Sequence, residues 1–144
     1  MICCSICAAI AAAQVFPALQ FGIDGLCTWL ATALFAAGLA LRWYAIVHLG
    51  RFFTVDVAIA PDHQVVDTGP YRWVRHPSYA GALTAFAGLA LATANVLSVA
   101  LLLVPVVAVF LHRIRVEETA LRAALGEAYV RYALRTKKLI PLVY

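Results

Sequence analysis

"YAGALTAFAGLALATANVLSVALLLVPVVAVFL", residues 79–111, runs without one charged side chain. A helix that crosses a bilayer needs about 20 apolar residues. This stretch is too long for one crossing and suits two short ones, with Asn95 at the turn. Gly81, Ala85, Gly88 and Ala92 recur along its first half at a spacing that lets membrane helices approach closely. Pro105 in its second half is predicted to kink the helix, which membrane helices tolerate.

Toward the N-terminus the pattern repeats. Residues 2–21 carry no charge, nor do residues 26–41, which Trp43 to Leu49 extend. Small residues Ala33, Ala37, Gly38 and Ala40 mark the second of these runs. The predicted fold is all-α and integral to the membrane. It is one domain, 1–144, with four membrane helices at about 2–21, 25–47, 78–94 and 96–114. A cytoplasmic loop would occupy 51–77. A soluble bundle is excluded by composition: 65% of the 144 residues are hydrophobic and 12% are charged, against roughly a quarter charged in soluble domains. The first run lacks a preceding basic region, so it reads as a retained helix and not as a cleaved signal peptide.

The charges orient these helices. All eleven Lys and Arg residues lie at Arg42, Arg51, Arg72, Arg75 or from Arg113 onward. With alternating helices they fall on one side, which the preference for internal positive charge makes cytoplasmic, with both termini inside. The net charge of +4 thus reflects topology and anionic headgroups, and implies no nucleic-acid partner. Cys3, Cys4, Cys7 and Cys27 lie in apolar segments. "CSIC" has a metal-ligand spacing, but without a second pair or a nearby His it implies no metal.

The polar residues are concentrated in two places. One is the segment between Arg51 and Ser78, whose backbone must lie at the surface or line a protein-enclosed pocket. The other is His112 to Glu118. A hairpin of helices 3 and 4 brings them together: Arg75, His76 and Tyr79 begin it, and Arg113, Glu117 and Glu118 finish it. Pro77 suits the first turn of a helix, and His76 before it is pushed out of helical conformation. The N–H groups after Pro77 are expected to form an anion site. Tyr71, Trp73 and Tyr79 offer faces to a cation, although Arg72 and Trp73 equally suit interfacial anchoring. Arg113 and Glu117 share one helix face, where an ion pair is the simplest reading. Such a set would suit a zwitterion bearing an extra positive charge. Beyond it, Ala120, Leu121, Ala124, Leu125 and Ala128 recur at helical spacing, predicting an amphipathic helix over about 115–135.

"GPYRWVRHPSYAG" at 69–81, followed by "RIRVEETAL", "GEAYVRY" and "TKKLIP", resembles the isoprenylcysteine carboxyl methyltransferase family and its bacterial relatives. The upstream "HLGRFFTVDV" and "DHQVVDTG" are similar too, so the likeness runs from His48 to Tyr144. It implies an integral-membrane enzyme using S-adenosyl-L-methionine. The cofactor pocket would fall on His63, Gln64, Val65, Val66, Tyr71, His76, Pro77, Ser78 and Tyr79, with Glu117 as the acidic contact. Arg113 would bind substrate, and Arg113 and Glu117 would be the catalytic pair. The expected reaction is O-methylation of a carboxylate or other oxygen nucleophile on a lipophilic or prenylated acceptor reached from the membrane lipids. The protein would sit in a bacterial inner membrane with its active site facing the cytoplasm. A phenolic acceptor would need a base, and Glu118 and His112 are candidates. The rival readings are an N-methyltransferase of phospholipid amines, beside which Arg113 is badly placed, and a small membrane scaffold without activity.

Overall fold

A computed structural model of the chain describes residues 2–21, 24–52 and 64–141. Four helices carry it: α1 (Ile2–Val15), α2 (Gly25–Leu49), α3 (Pro77–Ala92) and α4 (Val96–Arg135). Short 3-10 turns at Pro17–Leu19, Gly50–Phe52 and Gly69–Arg72 punctuate them. No strand occurs among the described residues. The chain divides into two compact units. One comprises Met1–Ala40 and Gly81–Phe110, the other Leu41–Ala80 and Leu111–Tyr144.

α1 is shorter than the predicted 2–21 because Pro17 lacks the N–H that would continue it. Its 14 residues span about 21 Å and the 16 of α3 about 24 Å, at roughly 1.5 Å per residue. Two helices are long and apolar enough to cross a membrane by themselves: α2 with its following turn, Gly25–Phe52, and α4. In α4 the helical spacing continues past Pro105 as far as Gly126, where φ is 54° and ψ is −133°. A side chain there would be strained, so the direction of the C-terminal segment is set at a glycine.

The first unit is built on small residues. Its buried positions include Ala9, Ala12, Ala31, Ala82, Ala85 and Ala90, whereas Trp29 is 75% exposed and Val104 68%. Small side chains predominate inside, beside Leu102, Val106 and Phe110, while large apolar ones such as Trp29 face outward, as suits packing in lipid, where close backbone approach replaces hydrophobic exclusion. Gly38 shows how close. A Cβ there would overlap the backbone N of Ala85 and lie 2.6 Å from the Gly81 carbonyl oxygen. Gly88 answers from α3, where a Cβ would stand 2.6 Å from both Ala31 O and Phe35 N.

The turns at one end of this unit are joined by polar bonds. The Phe21 amide donates to Ala94 O at 2.8 Å. Asn95 is fully buried: its Oδ1 caps α4 at the Ser98 amide, 3.1 Å away, and its Nδ2 donates to Phe16 O at 2.9 Å. Asn95 is therefore a helix cap and a tie to the α1 end, which is why it tolerates burial at an apolar turn. The Ser98 hydroxyl donates to Ala9 O at 2.7 Å, satisfying its own polar group.

In the second unit, the amphipathic stripe predicted for 115–135 is realised only in part. Ala124 and Ala128 are exposed and Leu121 and Leu125 are half-buried. Burial falls on Glu118, Tyr129, Tyr132 and Thr136 instead. The Gly126 conformation interrupts the repeat, and the aromatic residues after it take over the inward face.

Gly38→Ala and Gly88→Ala are expected to destabilise the protein by about 1–3 kcal/mol each, since the added carbon meets backbone that cannot move aside. Gly25→Ala, with nothing within 4 Å of the new carbon, should be neutral or slightly stabilising. Thermal unfolding in detergent micelles checks all three. Equal melting temperatures would overturn the close-packed seam.

Candidate functional site

The second unit gathers polar side chains from four segments. The "RWVRHP" segment is pinned first by backbone. The Arg75 amide donates to Lys137 O at 2.7 Å and the His76 amide to Lys138 O at 3.0 Å. Val74 and Lys137 form an isolated parallel bridge. "TKKLIP" thus supplies carbonyls that fix the residues just before α3.

His76 is held through its backbone and through its ring. Its carbonyl accepts from the Tyr79 amide at 3.1 Å and the Ala80 amide at 3.0 Å. Of the amides at this helix start, that of Tyr79 is thus turned onto the His76 carbonyl, while the Ala80 bond is the first regular one of α3. The His76 ring is buried, lies 3.3 Å from Glu118 Oε1 through Nε2, and stacks on the Tyr79 ring at 5.5 Å with an interplanar angle of 6°. Pro77 and Ser78 are buried beside it. Arg42 from α2 donates to the Ser78 hydroxyl at 3.3 Å.

Two adjacent acids have separate duties. Glu118 is buried and accepts from Arg75 Nε at 2.8 Å, with Lys138 Nζ 3.7 Å from its other oxygen. Burial acts to raise its carboxyl, but the hydrogen bonds from His76 and Arg75 outweigh that and lower it to about 2. Glu118 is therefore an anionic anchor and not the base suggested by its position. The other candidate base, His112, is exposed. Arg75 is held in turn by the carbonyls of Ala133, at 2.9 Å, and Thr136.

Glu117 faces a different partner. The Tyr79 hydroxyl donates to Glu117 Oε2 at 2.6 Å and accepts from Arg113 Nε at 2.8 Å. Arg113 and Glu117 are thus linked through a phenol from α3, where the sequence suggested a direct pair. The Arg113 guanidinium also lies over the Tyr79 ring, 5.9 Å from its centroid. Arg113, Tyr79, Glu117 and His76 therefore form one connected group.

Other expected site residues have partners of their own or none among the bonds of this group. Tyr71 is buried, but its hydroxyl donates to Ala45 O at 3.2 Å and its ring stacks on His48. Burial first, then Tyr132 and Glu117, push its phenol above the usual range. Gln64 is exposed, and Val65 and Val66 are half-buried. No hydrogen bond or ring contact among the described residues ties these three to the group. His63 lies outside the described residues. Trp73 is 62% exposed with Arg72 over its face, which fits interfacial anchoring. Residues the motifs contained but sequence reading left without a role are Tyr129 and Tyr132 of "GEAYVRY". Their spacing with Thr136 on one helix face was the available signal. Tyr132 donates to Tyr71 O at 2.7 Å.

A family model described as isoprenylcysteine carboxyl methyltransferase matches residues 29–123. The likeness thus begins well before His48, inside α2. Protein-S-isoprenylcysteine O-methyltransferase B of Arabidopsis thaliana is 37% identical over 108 residues, covering 74% of this chain and 55% of that protein. The protein-S-isoprenylcysteine O-methyltransferase of Saccharomyces cerevisiae is 34% identical over 120 residues, covering 82% and 50%. A solved structure of a eukaryotic intramembrane Ras methyltransferase matches with a TM-score of 0.80 and 27% identity, over 97% of this chain and 50% of that one. The chain spans about half the length of the curated relatives it matches. With a family model over most of its length and an all-helical, lipid-adapted fold like that of an intramembrane protein, this chain is an integral-membrane member of the isoprenylcysteine carboxyl methyltransferase family.

Proposed function

We propose that this chain is an S-adenosyl-L-methionine-dependent methyltransferase that esterifies a carboxylate on a prenylcysteine-like, lipophilic acceptor. The observation that carries this reading is the line Arg113–Tyr79–Glu117, a cation and an anion held apart by a phenol. The named activity of the relatives supports the same acceptor class.

The residues present fit the cofactor. Glu117 offers a carboxylate to its cationic or hydroxyl groups, and the stacked His76 and Tyr79 rings offer a flat aromatic wall. Tyr71, Pro77 and Ser78, and the segment from His63 to Val66, complete the proposed pocket. When bound, S-adenosyl-L-methionine supplies an electrophilic methyl group on a sulfonium. The protein's part is positioning and electrostatics. Arg113 Nε–H donates to Tyr79, and its guanidinium would meet the acceptor carboxylate. A carboxylate is already a nucleophile and needs no base. That agrees with Glu118 being tied into an ion cluster and His112 pointing outward. A cationic guanidinium at the acceptor position disfavours a phospholipid amine, and a scaffold would have no use for the separated charges.

The proposed membrane arrangement has four crossings, with both termini and the Arg113–Glu117 group on the cytoplasmic side of the bacterial inner membrane. In a variant lacking the native cysteines, Val96→Cys is expected to react with an impermeant thiol reagent from outside only, and Leu134→Cys from inside only. Both positions are exposed. Labelling of Val96→Cys from inside would overturn the arrangement.

The pocket is tested by binding. Glu117→Gln still accepts the Tyr79 hydrogen bond but removes the charge, so it should weaken S-adenosyl-L-methionine binding roughly tenfold to hundredfold in calorimetry. Unchanged affinity would remove Glu117 from the pocket. His76→Ala is a poorer choice, because it also strips Glu118 of a partner.

The reaction is tested with purified protein, methyl-labelled cofactor and an N-acylated S-prenylcysteine. Label released as methanol by mild alkali identifies the ester. Label appearing in phospholipid amine headgroups would overturn the carboxylate reading. In the same assay Arg113→Lys should lose most turnover while cofactor affinity changes little, because an ammonium cannot both hold Tyr79 and present a planar fork. Parallel loss of binding and turnover would reassign Arg113 to support of Tyr79 and Glu117.

A further inference from the structure

Tyr129 has the only buried side-chain polar atom among the described residues with no hydrogen-bond partner. The residue is 3% exposed. An unpaired buried hydroxyl is costly, and an isosteric phenylalanine would avoid that cost. The ring is well placed: it meets Tyr132 edge-on at 6.0 Å, and Tyr132 is itself bonded to Tyr71 O. One turn further along α4, Ala133 O accepts from Arg75, which holds Glu118. Tyr129 therefore lies on the helix face that packs against the Arg75–Glu118 pair. Burial first, then the negative charge of Glu118, push its phenol above the usual range, with Arg75 opposing and Glu117 adding. Glu118 in turn meets the ring of His76, a residue of the proposed pocket, at 3.3 Å.

We propose that Tyr129 is a further binding residue, whose hydroxyl forms a hydrogen bond with a polar group of S-adenosylmethionine. The inference rests on the assignment of that cofactor to this site. It explains why a tyrosine stands at a position where phenylalanine would pack equally well. It also gives the second half of "GEAYVRY" a division of labour: Tyr132 braces the Tyr71 backbone, and the Tyr129 hydroxyl is left for the cofactor.

The test is Tyr129→Phe, read two ways in detergent micelles. Calorimetric titration with S-adenosylhomocysteine, the demethylated cofactor, should show affinity about tenfold weaker than wild type. Thermal unfolding without ligand should show a melting temperature equal to or above wild type, since no protein hydrogen bond is lost. Tyr132→Phe, which does lose one, should melt lower. Unchanged affinity in Tyr129→Phe would overturn the proposal. So would a lowered ligand-free melting temperature or failure to fold, either of which would make the hydroxyl a structural group bonded to fixed water. Failure of the wild-type chain to bind would instead overturn the cofactor assignment, and the inference with it.

Discussion

A single buried carboxylate organises the polar half of this protein. Glu118 takes Arg75 and His76 from the segment before α3 and Lys138 from the tail after α4. A charge in such a place is expensive unless partners surround it. Once they do, each is fixed as well. Arg75 is pulled against the carbonyls of Ala133 and Thr136, and the His76 ring is set flat upon Tyr79. Removing Glu118 would leave a guanidinium buried without an anion, so the cluster stands or falls as a unit.

Glu117, the neighbouring residue, is spared from that structural duty. Adjacent residues on a helix point about 100° apart, so one acid can anchor while the other faces the Tyr79 hydroxyl. This separation gives the site its chemical character. Arg113 and Glu117 would largely neutralise each other in direct contact. With the phenol between them, each keeps a directional field for a different group of a bound molecule. On the proposed reading, Arg113 would face an acceptor oxyanion and Glu117 a cationic cofactor, the electrostatic layout that carboxylate methylation calls for.

The apolar half follows a different rule. Its helices meet through Gly38, Gly88 and a series of alanines, while Trp29 and Val104 face outward. Lipid does not drive large side chains inward, so packing is won by bringing backbones together. Polar groups at the turns then need internal partners, and Asn95 and Ser98 find them in Phe16 O and Ala9 O.

Much of this was legible in the residues alone. Charge-free runs, one-sided Lys and Arg, and small-residue spacing report membrane location and helix identity, because burial in lipid acts on local composition. That the two ends of the α3–α4 hairpin bring Arg75, His76 and Tyr79 to Arg113, Glu117 and Glu118 also followed from connectivity. The exact partnerships did not. Arg75 meets Glu118 across 43 residues, Tyr79 meets Glu117 across 38, and Tyr132 meets Tyr71 across 61. At those separations a local pattern says which residue types are available but not which atoms converge. The choice of Glu118 as anchor, Tyr79 as the link to Arg113, and Tyr129 as the unpaired hydroxyl was made by the rotation of α4 against the segment before α3. Only the folded backbone specifies that rotation.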